Sequence, residues 1–316
     1  MHQLKRGLTI LGFLLLAAMV LVLFGFTTFE AWTAHWLGGA LSSIILIGVV
    51  SAVVLEGKAL FSAQVTVEPA QESLWETLAC LIGALAAYTL AHDLGLGPVV
   101  AASMVGIAAH LVAPKYSVAV YCGSFVGMTS DLLLLTHGEV LLASLASGIV
   151  FYLTKPLFSG VGGKLGTLAL IGTTLMSVSL NRIFLVAPLP DGQTALEILA
   201  ITLIATPLTF YLSQANGNGP VLASSVVGLI GGLVLPVIYP EMGTNLAVVA
   251  ICASFAGMSS RERLPHLGWV LLAALFTGVA FIFSTPHLGG AGGKLGTIAF
   301  GAVLAVAGFQ GISRKG

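Results

Sequence analysis

Beyond a short polar start, the chain alternates long apolar stretches with brief polar breaks. The stretches fall at 8–28, 36–56, 74–93, 97–113, 117–135, 138–156, 163–180, 194–213, 219–236, 243–260, 265–284 and 293–312. Most approach the ~20 residues that an α-helix needs to cross roughly 30 Å of hydrocarbon. Strands of a transmembrane barrel would run for about ten residues and alternate in polarity. These stretches do not alternate. The pattern predicts an all-α polytopic membrane protein with twelve transmembrane helices. The first stretch follows MHQLKRG and is too long for the apolar core of a cleaved signal, so it reads as a retained helix.

Two longer breaks divide the chain, EGKALFSAQVTVEPAQES (56–73) and NRIFLVAPLPDGQT (181–194). Both carry proline and polar residues, as connecting segments do. The parts around the second break repeat one another. GPVVAASMVGIAAHLVAP (97–114) matches GPVLASSVVGLIGGLVLP (219–236), and CGSFVGMTS (122–130) matches CASFAGMSS (252–260). TKPLFSGVGGKLGT (154–167) matches STPHLGGAGGKLGT (284–297), and Glu76 in LWETLA aligns with Glu197 in ALEILA. The order is the same in both halves. The expected organisation is therefore two N-terminal helices with a linker (1–73), a first repeat (74–180) and a second (194–316). Each repeat holds five predicted helices. An odd number makes the second copy enter the bilayer upside down relative to the first, the inverted plan of many carriers.

Composition agrees with lipid as the main solvent. Hydrophobic residues make up 57% of the chain and charged residues 8%, against about 25% charged in a soluble domain. The net charge is zero, which argues against a nucleic-acid partner. With both termini in the cytoplasm, Lys5, Arg6, Lys58, Lys115, Lys155, Lys164, Arg261, Arg263, Arg314 and Lys315 fall inside, and only Arg182 and Lys294 outside. That obeys the positive-inside bias and fits a bacterial inner membrane. A rival topology stays open. Residues 117–130 and 244–260 are short and rich in Gly and Ser, and as re-entrant loops they would leave ten crossings and parallel repeats.

The repeated phrases carry the candidate chemistry. In GGKLGT, a new helix starts at Gly163 or Gly293, followed by Lys164 with Thr167 and by Lys294 with Thr297. A helix start exposes free N–H groups and positive partial charge, so a lysine there points to a nearby anion. The plainer reading has each lysine reaching for lipid headgroups while the glycines permit tight packing. A phosphate-binding P-loop would need Ser or Thr after the Lys, and Leu165 and Leu295 stand there. In the second phrase, Cys122, Ser124, Phe125, Gly127 and Ser130 recur as Cys252, Ser254, Phe255, Gly257 and Ser260. Hydroxyls and paired aromatics at mid-depth suit a solute pathway, while small residues alone also suit close helix packing.

Unduplicated or mismatched polar groups come next. Glu76 and Glu197 open their helices, where acidic residues are favoured, and would become proton or cation ligands if they sat deeper. Asp131 and Arg261 take equivalent places with opposite charge, and His110 lies within an apolar stretch. These are the candidate gating or proton groups. No GxSxG elbow or HExxH pair is present, so no enzyme is expected. Cys80, Cys122 and Cys252 form neither a disulfide framework nor a zinc-spaced pair, and no metal or cofactor is expected.

The five-plus-five plan resembles that of urea-transporter-like and other inverted-repeat carriers, a likeness of architecture that implies no particular substrate. The expected function is a channel or secondary transporter for a small solute, a small anion or a polar neutral molecule. Its expected surroundings are the lipid bilayer; the two extra N-terminal helices are expected to cover one side of the bundle or to mediate contact with further copies of the chain. The alternative is an integral subunit of a membrane electron-transfer or assembly complex, with Cys122 and Cys252 offering ligands across a pseudo-axis.

Overall fold

The computed structural model describes residues 2–62, 71–215 and 217–313, with backbone only at 2–5, 71–73 and 313. The linker stretch 63–70, the basic Arg314 and Lys315, and the Lys5 side chain lie outside the described residues. The elements of the described chain are helical. They are α1 (His2–Ala34), α2 (Trp36–Ser62), α3 (Gln71–Tyr88), α4 (Pro98–Val112), α5 (Ser117–Gly127) and α6 (His137–Leu153). They continue as α7 (Lys164–Ser179), α8 (Gly192–Gln214), α9 (Gly219–Ile238), α10 (Gly243–Gly257), α11 (Leu267–Ser284) and α12 (Lys294–Ser313).

Seven of these, α1, α2, α3 with its π-helical extension Thr89–Asp93, α8, α9, α11 and α12, are long and apolar enough to cross a membrane. α4, α6, α7 and α10 are apolar but shorter, and α5 has 11 residues. The sequence pattern predicts about twelve spans, and the lengths support seven among the described residues. It also predicts that α5 continues to 135 and α10 to 260. Both stop at glycine, because the chain after each turns to meet the other half. Ser130 N–H donates to Gly290 O at 2.9 Å, and Ser260 N–H donates to Gly160 O at 2.9 Å. A residue whose N–H is taken by a distant carbonyl cannot extend the i to i−4 ladder.

Other boundaries follow local chemistry. α4 and α9 each open on a Gly-Pro pair, with Pro98 and Pro220 in the first turn, where the missing N–H is not needed. At the start of α6, Thr136 Oγ1 accepts from Glu139 N–H at 3.2 Å and the Glu139 carboxylate accepts from Leu135 N–H at 2.6 Å. This reciprocal cap satisfies two exposed donors. Asp191 caps α8 by accepting from Thr194 N–H at 2.8 Å.

The helices pack in matching sets. α3 lies on α5 and α6, as α8 lies on α10 and α11; α6 lies on α7, as α11 lies on α12. α4 meets α9, and α7 meets α12. The α1–α2 hairpin lies against α12 and α11. Along α1, Phe13 stacks on Phe158 of the α6–α7 loop at 5.9 Å, and Phe26 stacks on His287 of the α11–α12 loop at 5.2 Å. Thirteen residues at 1.5 Å each separate these contacts by about 20 Å along the helix axis. The two GGKLG loops thus approach the core from different ends of α1.

Candidate functional site

The last turns of α5 and α10 meet in the interior. The rings of Phe125 and Phe255 lie 4.6 Å apart, tilted by 49°. Tyr121 packs edge-on against both, at 4.5 Å and 6.3 Å. All three side chains are buried. The Tyr121 hydroxyl lies 3.0 Å from Ser224 Oγ, which lies 2.8 Å from Ser254 Oγ. Ser254 donates to Ile251 O at 2.7 Å, and Ser124 donates to Tyr121 O at 2.8 Å. Ser254 therefore joins a hydroxyl chain, while Ser124 is bonded back into its own helix. Ser103 and Ser225, at matching places on α4 and α9, are fully buried, and the Ser103 hydroxyl has no hydrogen-bond partner among the described residues.

Each GG loop holds the end of the other half's short helix. Gly162 N–H donates to Ser259 Oγ at 3.0 Å, and Gly292 N–H donates to Thr129 Oγ1 at 3.2 Å. The thiols of Cys122 and Cys252 donate to Leu165 O at 3.4 Å and Leu295 O at 3.2 Å, each within its own half. Gly127 and Gly257 serve close packing: a Cβ on Gly127 would lie 2.8 Å from Ala87 Cβ, and one on Gly257 2.7 Å from Thr209 Cβ. Ser130 Oγ accepts from Leu132 N–H at 3.2 Å, and Ser260 Oγ has no partner among the described residues. Sequence reading points to Ser130 and Ser260 and passes over Thr129 and Ser259 beside them, whose hydroxyls make the cross-half bonds.

The GGKLG starts differ from expectation. The helix starts themselves cross each other in the core, while each lysine lines a different cavity. A Cβ on Gly166 would lie 2.9 Å from Gly293 O, and one on Gly296 would lie 2.9 Å from Gly163 O. Gly163 and Gly293 take left-handed φ values of 82° and 92°, which L-residues with side chains disfavour. The lysines reach back. Lys164 Nζ donates to Thr154 O and Leu157 O, both at 2.6 Å, and approaches Lys155 O at 3.4 Å. Lys294 Nζ donates to Ser284 O at 2.8 Å and Thr285 O at 3.3 Å. Each ammonium thus caps the carbonyl end of the preceding helix, where the dipole favours a cation. The lysine that looks misplaced at one helix start is well placed at another helix's end. Thr297 Oγ1 donates to Gly293 O at 3.2 Å, and the buried Thr167 Oγ1 has no partner among the described residues.

Two cavities, each of about 500 Å³, reach the Phe125–Phe255 pair. The first is lined by the α11–α12 loop with Lys294, and by Pro98, Met128, Phe281 and Asn245. The second is lined by the α6–α7 loop with Lys164, and by Pro220, Met258, Phe151 and Lys115. Part of the walls corresponds, with Pro98 matching Pro220, Met128 matching Met258 and Phe281 matching Phe151; residues 187–190 wall the first cavity alone, and the charge differs. In the first, Lys294 is the one ionisable lining side chain among the described residues. The second also carries Lys115, Lys155 and Glu76, and Lys155 Nζ lies 3.0 Å from Glu76 Oε1.

The remaining candidates scatter. Glu197 accepts from Gln193 Nε2 at 3.2 Å, and its other oxygen, like the second oxygen of Glu76, is buried without a partner among the described residues. Neither glutamate opens its helix; α3 starts at Gln71 and α8 at Gly192. Asp131 and Arg261 lie in exposed turns beyond α5 and α10, and His110 is half-buried on α4. None of these three lines either cavity. The carboxylates of α1 and α2 brace both loops. Glu56 accepts from Phe158 N–H at 2.7 Å and lies 4.0 Å from Arg263, while Glu30 lies 3.3 Å from His287. Among the described residues, no group of three or more His, Cys, Asp or Glu side chains converges as metal ligands would.

The chain matches no family model, no curated protein and no solved structure.

Proposed function

We propose that this chain forms a membrane passage for a small solute, as a channel or secondary transporter, between two inverted five-helix repeats. The observation that carries the reading is the pair of cavities that reach one aromatic pair, Phe125 and Phe255, from the two GGKLG loops. A solute entering either cavity meets the same ring contact. Ligand sites near mid-depth, built where short helices break, are the arrangement of many carriers. The loops brace different ends of α1, which supports opposite insertion of residues 74–180 and 194–316. In this reading all twelve helices cross or enter the bilayer, the short ones as broken spans, and both termini lie on the cytoplasmic side of a bacterial inner membrane.

The test has two arms. Reconstitution in liposomes, with efflux of small organic anions and small amides, should give flux above protein-free vesicles. A panel in which nothing moves faster than in those vesicles removes the passage. For the topology, single cysteines at Lys115 and Glu241, both exposed in equivalent loops, should label from opposite sides of the membrane. Labelling from one side makes the repeats parallel.

A further inference from the structure

The two cavities are not equivalent as ligand sites. A lysine ammonium has three N–H donors. Lys164 directs its three at the carbonyls of Thr154, Leu157 and Lys155, and Lys155 in the same cavity is answered by Glu76. Lys294 spends two donors, on Ser284 O and Thr285 O. Among the described residues its third N–H has no acceptor, and no carboxylate lies within salt-bridge distance. Where the second cavity has Lys115 and Lys155, this one has Asn245 and Thr285. A cation in an apolar cavity without a counter-charge is costly, and a ligand that supplies one negative charge relieves it.

The walls set the rest of the ligand. Phe125, Phe255, Phe281, Leu246 and Ile198 give the cavity an apolar lining, and its volume of about 500 Å³ lies in the range of small-molecule sites. A second negative charge would find no cation there. A fully hydrated inorganic ion would leave the apolar wall uncovered. Resting on the passage reading above, we propose that the Lys294 cavity binds a small organic anion with one negative charge and an apolar body, a short monocarboxylate being the simplest such molecule. The carboxylate meets the spare N–H of Lys294 beside the first turn of α12, and the alkyl part lies against Phe281 and the Phe125–Phe255 pair.

The test uses the purified full-length protein in nanodiscs. Probes are acetate, butanoate, hexanoate and octanoate, the matching primary amides, and succinate and phosphate as a dianion and an inorganic control. Binding is followed by calorimetry and by thermal shift. Hexanoate should bind at least tenfold more tightly than hexanamide or succinate. Lys294→Gln should weaken it at least tenfold. Asn245→Asp keeps the Lys294 caps but places a carboxylate in the same cavity, and it should weaken hexanoate to a similar degree even if the lysine variant does not fold. Equal binding of hexanoate and hexanamide, tighter binding of succinate or phosphate, or unchanged hexanoate binding in Asn245→Asp each overturns the proposal. If amides cross proteoliposomes and carboxylates neither bind nor cross, the passage stands and this site falls. If hexanoate binds through Lys294 but no solute crosses, the site stands and the passage falls.

Discussion

Phe125 and Phe255 sit in the last turns of two short helices, 4.6 Å apart between ring centroids, and each ring forms part of the wall of both cavities. In the proposed passage, the barrier between the cavities is this contact of two side chains. Phe125→Ala removes one side of it. Loss of a fully buried ring destabilises by about 3–5 kcal/mol, so the melting temperature should fall. Efflux from proteoliposomes should nevertheless rise per folded molecule. Phe125→Trp, which adds volume at the contact, should slow efflux. Efflux that is unchanged in both variants places the barrier elsewhere.

The crossing of α7 and α12 predicts a strong asymmetry among glycines. At Gly166 and Gly296 an added Cβ meets the backbone of the other helix, which cannot swing aside as a side chain can. Gly166→Val or Gly296→Val should destabilise by about 1–3 kcal/mol or more, the range for overpacking in a dense core. At Gly192, the start of α8, an added Cβ would have nothing within 4 Å, and Gly192→Ala should change stability by less than about 0.5 kcal/mol. Thermal unfolding of the three variants in one detergent checks the order.

Because the two lysines cap helix ends to different degrees, their removal should not be equal. Lys164 makes two bonds of 2.6 Å, and Lys294 makes one of 2.8 Å and one of 3.3 Å. Hydrogen bonds to a charged group contribute about 1.5–3 kcal/mol each. Lys164→Met should therefore lower the melting temperature more than Lys294→Met. The reverse order would mean that the carbonyl contacts of Lys164 are not the ones that hold α6 to α7.

The helices are legible in the sequence, since they live in local pattern. Gly-Pro starts α4 and α9, and matched phrases align α5 with α10 and α7 with α12. The paired aromatics are legible too, because the repeat puts Phe125 and Phe255 in equivalent places. What the lysines do is not. Their partners are backbone carbonyls at Thr154 and Ser284, and a carbonyl leaves no mark in the residue code. The early ends of α5 and α10 are hidden for the same reason. They depend on bonds from Ser130 to Gly290 and from Ser260 to Gly160, between segments far apart in sequence. Tyr121 and Ser224 escape sequence reading because the repeat does not keep them; Ile251 and Ala102 occupy the matching positions.

Asp191 gives a pH-dependent test outside the spans. The backbone N–H of Thr194 donates to its carboxylate and holds the pKa below the ordinary 3.8. A carboxyl whose folded pKa is depressed stabilises the fold above its unfolded value, and that contribution is lost as pH falls through the folded value. Asp191→Asn keeps a capping side chain but not the charge. The native protein should lead this variant in melting temperature at neutral pH, and the lead should shrink once the pH drops below 3.8. A lead that persists undiminished in acid would mean that the charge is not what the cap uses.

The three cysteines offer a probe of how tightly the interior is closed. Cys80, Cys122 and Cys252 are each 0% exposed, and the last two thiols donate to Leu165 O and Leu295 O. Attack on a maleimide needs an accessible thiolate, so none should label in the folded protein. In denaturant, labelling should reach all three cysteines of the chain. If Cys122 and Cys252 protect the junctions of α5 with α7 and of α10 with α12, their labelling at intermediate denaturant should rise together with the loss of helical signal. Fast labelling of Cys122 under native conditions would show that the α5–α7 junction opens without unfolding. The closed contact at Phe125 would then be one of two exchanging forms.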